Sequence, residues 1–456
     1  MTFSRVFAAI PKPGRLEAWI LVGLLLFWVV LGVDTLIRSA FLYRPMTDAQ
    51  VFFRAGWAVW ADVSVYSVTD DNGWPYVYPP TFAVLMLPFA YPPHGMDAPW
   101  FALPYPVSIV VLYVAEVLAF FWAVHIAASA LERAFPNRGS VTADGSGLQW
   151  QPWWFLRVAP MLAYLPLAAI DIDRGQITSF ILLSATGFAA FLAAGRSFLA
   201  GLVLSVGVTL KLYPLIALGL PILRRDFACI AGFLTGLFVF AGLVPLVALG
   251  IDGFLSEYAT YVAVAAGMSA TAGNSLGAVP ANMALDAIGF GAVIYKTWAI
   301  LTGARIAEFA PHWVIRVHLA VLVCAFGLFA AVSWRRAWKL VGPQPAGPAA
   351  ILLSVALLCA IMAMAPPVAQ LNYLMLGVFL HMAVIATVWD RRGAAVTPFW
   401  LYALGGFVWP AAMFNMGEDL GRAAWLTTGV YPVALSIGIG LALLAGQTGR
   451  SGRRAL

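Results

Sequence analysis

The stretch LEAWILVGLLLFWVVLGVDTLI, residues 16–37, decides the fold class. It is 22 residues long with only two charged side chains, and about 20 apolar residues are enough for an α-helix to cross the hydrocarbon core of a bilayer. The basic residues Arg5, Lys12 and Arg15 precede it. The run is too long for the core of a signal peptide and has no clear small-residue cleavage site. We therefore expect an uncleaved first membrane span.

Runs of the same kind recur along the chain. Of its 456 residues, 62% are hydrophobic and 10% are charged, against about 25% charged in soluble domains. The composition therefore predicts an all-α polytopic membrane protein. We expect about twelve transmembrane helices, at residues 16–37, 79–92, 104–131, 155–171, 176–194, 198–222, 227–250, 314–334, 349–366, 371–389, 398–414 and 426–446.

The net charge of +6 comes from basic residues gathered in short connections between these runs. Besides the N-terminus, such clusters stand at Arg224–Arg225, Arg335–Lys339, Arg391–Arg392 and Arg450–Arg454. All of them fall on one side of the membrane if both termini are cytoplasmic. This pattern orients a membrane protein and does not form a basic face for nucleic acid. We expect membrane lipid, and no nucleic acid, among the partners.

Two long connections are then expected on the opposite, outer side, at residues 38–78 and 251–313. Both are rich in aromatic residues and broken by Gly and Pro, and their apolar residues follow helical spacing. This favours amphipathic helices in the plane of the interface. The chain thus divides into an N-terminal transmembrane module (1–250) with the first outer loop, an outer amphipathic loop (251–313) and C-terminal transmembrane helices (314–456).

Several kinds of site have no signal in the sequence. The three cysteines lie inside apolar runs and the five histidines are scattered, so neither a disulfide framework nor a metal-ligand set is indicated. The sequence also contains no phosphate-binding loop and no Gly-rich dinucleotide turn. We expect no cofactor and no dedicated metal site, although the sequence does not exclude a divalent ion. An activated substrate must then bring its own leaving group.

The segment MTDAQVFFRAGWAVW (residues 46–60) places an acid at the head of an aromatic amphipathic stretch. Thr47 and Gln50 have the spacing of a capping box, which puts Asp48 in the first turn of a helix. The helix macrodipole favours an ionised carboxylate there, and an ionised carboxylate can act as a base. The alternative interpretation is that Asp48 only marks the start of the helix.

The segment DIDRGQITS (residues 171–179) places ionisable groups between two apolar runs with almost no loop. Charged side chains at such depth usually face a cavity or each other. Arg174 is suited to hold a phosphate by paired hydrogen bonds, and Gln176 to orient a hydroxyl. The alternative is a tight turn with a self-contained Asp173–Arg174 pair.

Lys211 stands near the middle of a long apolar run, in TLKLYPL (residues 209–215). Pro214 can split this run into two shorter helices with Lys211 at their junction. In a polar cavity Lys211 suits a phosphate as a point charge, and the alternative is that it snorkels to the interface.

Two further groups of polar residues lie on the expected outer side, one in the second long outer loop and one at the outer mouth of a span. Asn274 and Ser275 suit sugar hydroxyls or an Asx-type turn. Gln370, Asn372 and Tyr373 suit the outer mouth of a span or an interfacial turn.

An ordered series of motifs resembles the polytopic GT-C glycosyltransferases of family 87. The series comprises an Asp ahead of an aromatic, Gly-containing helix (Asp48, Gly56, Tyr66), then YVYPP, RGQITSFIL, AGLVLSVGVTLKLYP followed by RR, and GNSLGAV. The resemblance covers nearly the whole chain, and its most specific part lies between residues 171 and 225. Family members of known activity use polyprenyl-phosphate mannose.

The resemblance implies a GT-C-type fold and an inverting transfer of a hexose, mannose in the family, from a polyprenyl-phosphate donor to a glycolipid or polysaccharide acceptor. It implies a site facing outward from a bacterial plasma membrane, with Asp48 as the base. Arg174 and Lys211 then bind the donor phosphate. The expected substrate-binding residues are Arg54, Tyr78, Asp173, Gln176, Tyr213, Asn274, Ser275, Gln370 and Asn372.

The chain departs from the family pattern near its tenth expected span. The family often has a Ser-Pro start and a His there, where this chain has Ala365-Pro366-Pro367 and Asn372. The histidine of the family therefore has no counterpart at this position, and the donor sugar and the acceptor can differ from the mannose case.

A secondary transporter or lipid flippase is the chief alternative, because about twelve spans with isolated charges at depth also describe those folds. Transporters usually contain two related halves, and the halves of this chain look unlike each other. A membrane acyltransferase would call for a catalytic His in a polar span, and none is persuasive here.

One conflict remains within the glycosyltransferase interpretation. Counting the expected spans places the Asp171–Gln176 turn on the side of the membrane opposite Asp48, yet Arg174 in that turn is expected to bind the donor phosphate.

Overall fold

The computed structural model describes residues 15–42, 47–135, 152–271, 347–365 and 371–392, together with residue 302 and parts of 316–328. Within these residues every regular element is helical. The α-helices are α1 (Arg15–Ala40), α2 (Thr47–Trp60), α3 (Pro80–Leu85), α4 (Tyr105–Ala134), α5 (Pro152–Asp173), α6 (Thr178–Ala193), α7 (Ser197–Leu210), α8 (Gly219–Arg224), α9 (Phe227–Leu237), α10 (Val244–Thr271), α11 (Pro348–Met364) and α12 (Gly377–Arg392). Short 3-10 helices (Val65–Ser67, Leu87–Phe89, Tyr213–Leu218, Leu371–Leu376) and a π-helical stretch (Phe238–Leu243) lie between some of them.

In the part of the chain that the structure describes, three helices are long and apolar enough to cross a membrane: Glu17–Ala40, Tyr105–Ala134 and the stretch Phe227–Ala265. Several shorter apolar helices accompany them. The predicted all-α membrane class is confirmed. The number of twelve spans stays a prediction, because the expected spans at 398–414 and 426–446 lie outside the described residues and the one at 314–334 is described only in part. The three-part division of the chain also stays a prediction.

The interior forms around α11, whose residues from Ile351 to Met364 are all buried. A helix that is apolar on every side is typical of the centre of a bundle. On the outside of the bundle, α1 packs on α4 where Tyr113 stands over Gly32 and donates a hydrogen bond of 2.6 Å to the carbonyl of Trp28.

The helix within residues 79–92 is too short to cross a membrane, so the prediction of a span there was wrong. This run contains only the six-residue α3 and a 3-10 turn, and the prolines Pro79 and Pro80 fix where the helix begins. α3 packs closely on α2 because Gly56 has no side chain. A Cβ at Gly56 would lie 2.5 Å from the carbonyl oxygen of Met86.

The run at 198–222 is not one helix but two segments. α7 ends at Leu210, Lys211 is extended (φ −148°, ψ 144°), and a 3-10 helix with Pro214 in its first turn leads into α8. The break predicted at Pro214 is therefore confirmed.

α7 and α9 run side by side in the same direction. Ser205 on α7 lies against Gly236 on α9, and near the start of both helices Ser197 donates a hydrogen bond of 2.7 Å to Asp226. Residues 211–225 must therefore carry the chain back from one end of the bundle to the other. The segment counts as a crossing of its own.

Residues 79–92 remove one expected crossing and residues 211–225 add one, so the number of crossings does not change. Between these two segments, however, the chain crosses in the direction opposite to the predicted one. With 79–92 removed, the turn after α5, which holds Asp171 to Gln176, lies at the same end of the bundle as α2. We call this the Asp48 end. The conflict between Asp48 and the turn is thereby resolved.

The second long loop begins as a helix, as predicted. α10 bends at Gly250, where φ is 70°, and the part after the bend packs on the first loop. The rings of Tyr66 and Tyr261 stack at 6.4 Å, and Ser64 donates a hydrogen bond of 3.3 Å to Glu257. The two loops thus cover the Asp48 end together.

Candidate active site

Asp48 lies in the first turn of α2, as predicted, and is partly exposed. Its Oδ2 accepts a hydrogen bond from Nε2 of Gln176. Burial raises the pKa of Asp48 from 3.8 to about 6, and the charges of Lys211 and Arg174 and the Gln176 hydrogen bond oppose this rise, whereas Asp70 adds to it. Burial thus outweighs the groups that favour the ionised form. A carboxylate with this pKa is ionised at neutral pH and still accepts a proton readily.

Gln50, which the sequence predicts to cap the helix start with Thr47, bonds to Asp71. Its side chain donates to the Asp71 carboxylate at 2.7 Å and accepts from the Asp71 backbone N–H at 2.9 Å. Arg54, one turn along α2, also donates to this carboxylate and donates to the carbonyl of Thr69 at 2.7 Å. Arg54, expected to bind substrate, therefore directs its guanidinium at its own loop.

The Asp71 carboxylate is stabilised by this arrangement. Partial burial raises its pKa, but the hydrogen bonds from Gln50 and Arg54 and the charge of Arg54 outweigh burial, and the net shift of the Asp71 pKa is downward. The same residues tie α2 to the chain that follows it. We call Gln50, Arg54 and Asp71 the loop clasp.

Gln176 reaches Asp48 because the chain turns sharply after α5. Gly175 has φ 65°, a left-handed conformation that glycine adopts without strain. The backbone N–H of Gln176 donates to the carbonyl of Asp171 at 3.0 Å. Both Gly175 and Gln176 are buried, so the turn holds the amide side chain in one place.

Lys211 lies on the far side of the Gln176 amide and is only 7% exposed. Its Nζ donates to Oε1 of Gln176 at 2.9 Å and to the hydroxyl of Tyr373 at 3.1 Å. The ring centroids of Tyr78, Tyr213 and Tyr373 lie 5.1, 6.0 and 4.5 Å from this nitrogen. Because residue 211 is extended and not helical, its side chain reaches this aromatic enclosure, in which cation–π attraction compensates for lost water.

Arg174 lies in the same turn, just before Gly175, and its side chain is exposed. Its expected partner Asp173 instead pairs with Arg38 of α1 and accepts a hydrogen bond of 2.9 Å from Thr35. Among the residues that the structure describes, no ion pair involves Arg174. The self-contained Asp173–Arg174 pair is thus not what forms, and Asp173 pairs with Arg38.

The predicted residues separate into three groups. Those gathered at the Asp48 end around the Gln176 amide and its turn are Asp48, Tyr78, Asp173, Arg174, Gln176, Lys211 and Tyr213. Arg54 belongs to the loop clasp. Asn274, Ser275 and Gln370 lie outside the described residues, and of Asn372 only the backbone, in the 3-10 helix Leu371–Leu376, is described.

The site also holds Tyr373, which the sequence places at the outer mouth of a span, and Glu116, to which the sequence gave no role. Tyr373 meets Lys211 only through folding, since 162 positions separate them. Glu116, in the middle of α4, is fully buried, and its carboxyl oxygens have no hydrogen-bond partner among the described residues. It lies within electrostatic reach of Asp171, Asp48 and Lys211. The sequence does contain a signal for Glu116, because a single acid inside an apolar run is unusual. The mean hydropathy of the run does not show it.

In the described part of the chain, no group of three or more His, Cys, Asp or Glu side chains could hold a metal ion. The site as described offers a carboxylate, an amide, cations and aromatic rings. Such a set can take a proton from a hydroxyl, orient it and bind an anionic group.

The family described as glycosyltransferase family 87 matches residues 76–367, more than half of the chain. The matched range contains Tyr78, the Asp171–Gln176 turn and Lys211, and it begins after Asp48. No curated protein and no solved structure matches the chain. The role of Asp48 must therefore be argued from its position in the structure.

Proposed function

This chain belongs to glycosyltransferase family 87, and from that premise we propose that it moves a hexose, by resemblance mannose, from a polyprenyl-phosphate carrier to an acceptor hydroxyl. We place the reaction at the outer face of a bacterial plasma membrane, with a glycolipid or polysaccharide as acceptor. The observation that carries the proposal is the Asp48 carboxylate, partly exposed and bound to Gln176 at one end of a membrane bundle.

Asp48 serves as the general base. It takes the proton of the acceptor hydroxyl while the hydroxyl oxygen forms a bond to the anomeric carbon. The bond from that carbon to the phosphate oxygen breaks, and its electron pair leaves with polyprenyl phosphate. One carboxylate and one displacement invert the anomeric centre, in contrast to the carboxylate pairs of retaining glycosidases. The pKa of about 6 supports this role, because the base is ionised at neutral pH and is more basic than an ordinary aspartate.

The donor phosphate needs a cation that solvent and lipid can reach. Arg174 has an exposed side chain at the Asp48 end, and a guanidinium binds phosphate through paired hydrogen bonds. Arg38, held by Asp173, adds a second guanidinium nearby. Lys211, the other cation expected to bind phosphate, is enclosed by tyrosines. Arg174 is therefore the main phosphate ligand in this proposal.

The test uses purified protein in lipid nanodiscs with a labelled polyprenyl-phosphate sugar and candidate acceptors. Release of polyprenyl phosphate should depend on acceptor. Asp48→Asn should lower turnover by at least about a hundredfold with unchanged thermal unfolding. Asp62→Asn is the matched control, since Asp62 is exposed in the same loop and its φ of 55° suits asparagine. Wild-type turnover by Asp48→Asn would end the proposal.

A transporter or flippase is the second candidate, favoured by the buried Glu116 within a helix long enough to cross a membrane. It predicts movement of a lipid-linked sugar across the bilayer with no bond broken. Reconstituted vesicles with donor on one side distinguish the two, because only the enzyme releases polyprenyl phosphate.

A further inference from the structure

We propose that Lys211 and Gln176 are positioning residues for Asp48, and that Lys211 acts on the carboxylate through the Gln176 amide and does not bind the donor phosphate. This inference rests on the proposed function, since it takes Asp48 as the base. It gives Lys211 a role different from the one that the sequence predicts.

The Gln176 amide fits between its two partners in one orientation only. An ammonium group has donors and no acceptor, so Lys211 must face the amide oxygen, and an ionised carboxylate only accepts, so Asp48 must face the amide nitrogen. The contacts have this order: Lys211 Nζ donates to Oε1 at 2.9 Å, and Nε2 donates to Asp48 Oδ2. The three groups form a directed chain in which each hydrogen bond polarises the next.

The Lys211 ammonium is held within this hydrogen-bond chain. It is buried, it also donates to Tyr373, and three tyrosine rings surround it. Two of the three N–H groups of the ammonium already have partners and Lys211 is only 7% exposed, so a phosphate has little access to this nitrogen. Arg174 faces no such competition, because its side chain is exposed.

The amide between the charges also has a chemical advantage. A cation in direct contact lowers the pKa of an aspartate by about 1–3 units, which would make Asp48 a poor base. With the amide interposed, Lys211 still compensates the buried charge, yet the pKa of Asp48 stays at about 6. The other charged or titratable groups around Asp48 are Arg174, Asp70, Glu116 and Tyr78.

The first experiment is the pH dependence of kcat for Lys211→Met. Because Lys211 lowers the pKa of Asp48, its removal should move the acid limb of the profile upward by roughly one pH unit. Lys211→Arg keeps a cation and should keep the limb close to wild type. Arg225→Asn removes a positive charge from the other end of the 211–225 segment, where φ is 53°, and should leave the profile unchanged.

Gln176→Met provides a second route to the same answer. It should also raise the acid limb, and the Lys211→Met/Gln176→Met double variant should shift it by less than the sum of the single shifts, because the residues act as a unit. If Lys211→Met does not fold, Gln176→Met decides alone. An unchanged acid limb in Gln176→Met would overturn the proposed hydrogen-bond chain from Lys211 through Gln176 to Asp48.

Binding of polyprenyl phosphate separates positioning from phosphate binding without turnover. Lys211→Met should bind it about as tightly as wild type, and Arg174→Gln should bind it roughly tenfold more weakly. Tenfold weaker binding by Lys211→Met with an unmoved acid limb would make Lys211 a phosphate ligand and overturn the inference. Failure of the proposed function is a different result, namely full turnover by Asp48→Asn.

Discussion

Two polar clusters of this molecule hold a buried cation in opposite ways. At the end of α4 away from Asp48, Arg157 donates to both oxygens of Glu132, at 2.5 and 2.9 Å. It also donates to Ser129 at 3.2 Å and to His125 at 3.3 Å. This cluster is a closed pair: cation and carboxylate touch directly and join α5 to α4.

The cluster around Lys211 is an interrupted pair. Within the described residues Lys211 has no carboxylate in ion-pair contact, and it reaches Asp48 only through Gln176. Both cations are well buried, at 4% exposure for Arg157 and 7% for Lys211. Burial alone therefore does not distinguish a structural cation from one that serves chemistry. In our proposal the distinguishing feature is the Gln176 amide, which lies between the cation and the carboxylate in the Lys211 cluster only.

Breaking the closed pair should have the largest effect on stability. Glu132→Gln leaves the Arg157 guanidinium buried without its carboxylate, which should lower the free energy of unfolding by about 3 kcal/mol. Unfolding of protein in nanodiscs, followed with temperature, measures the loss. Lys211→Met should destabilise clearly less, and only Lys211→Met should lower turnover per folded molecule. Equal destabilisation by the two variants would remove the distinction between the clusters.

The interrupted pair should depend on the backbone turn that carries its amide. Gly175→Ala forces a side chain into a left-handed conformation at φ 65°, which should cost about 1–2 kcal/mol and reduce turnover about tenfold by displacing Gln176. Gly195→Ala is the control: its φ is 73°, and a Cβ there meets nothing within 4 Å. It should cost similar stability and leave turnover per folded molecule unchanged. A loss of turnover in both would mean that strain alone, and not the Gln176 position, matters.

The interrupted pair should also show in the pH dependence of stability. The pKa of Asp48 is raised by burial from 3.8 to about 6 on folding, so ionising it in the folded protein is unfavourable. Its destabilising contribution should be absent below 3.8, grow up to about pH 6 and stay constant above. The stability difference between Asp48→Asn and wild type should follow this curve in unfolding experiments at several pH values. If the stability curves of Asp48→Asn and wild type ran parallel over this pH range, burial would not raise the pKa of Asp48.

The smallest expected effect concerns the enclosure of Lys211. Tyr373→Phe keeps the aromatic ring at 4.5 Å and loses only the 3.1 Å hydrogen bond from Lys211, so turnover should fall by about twofold to fivefold. Tyr213→Phe keeps a ring that lies at 6.0 Å, and should change turnover less. The reverse order in steady-state kinetics would mean that the Tyr373 hydroxyl does not hold Lys211.

The sequence predicts local features of the site well. Asp48 follows a threonine at the head of an aromatic segment, and that pattern places it correctly in the first helical turn. Pro214, three residues after Lys211, correctly predicts that the lysine stands at a break. Both are effects of neighbouring residues on backbone conformation, which a single sequence contains in full.

Contacts between distant residues were beyond such reasoning. Gln50 looks like a capping residue from its spacing to Thr47, but its partner is Asp71, 21 positions away. The run at 79–92 has the hydropathy of a span, and its prolines and its packing on Gly56 keep it short. Hydropathy counts apolar residues and does not say whether lipid or protein covers them.

The glycine contacts between α7 and α9 have a consequence for the lipid around the protein. With no side chains at Gly201 and Gly232, the two helices touch through backbone, which fixes Lys211 at the top of a 14-residue helix about 21 Å long. A lipid carrier keeps its phosphate at headgroup level, and that level moves with bilayer thickness. Because Lys211 positions Asp48 through Gln176, the base also keeps a fixed height, and with the proposed lipid-linked donor sugar transfer should be fastest in bilayers of one acyl-chain length and slower in thinner or thicker ones.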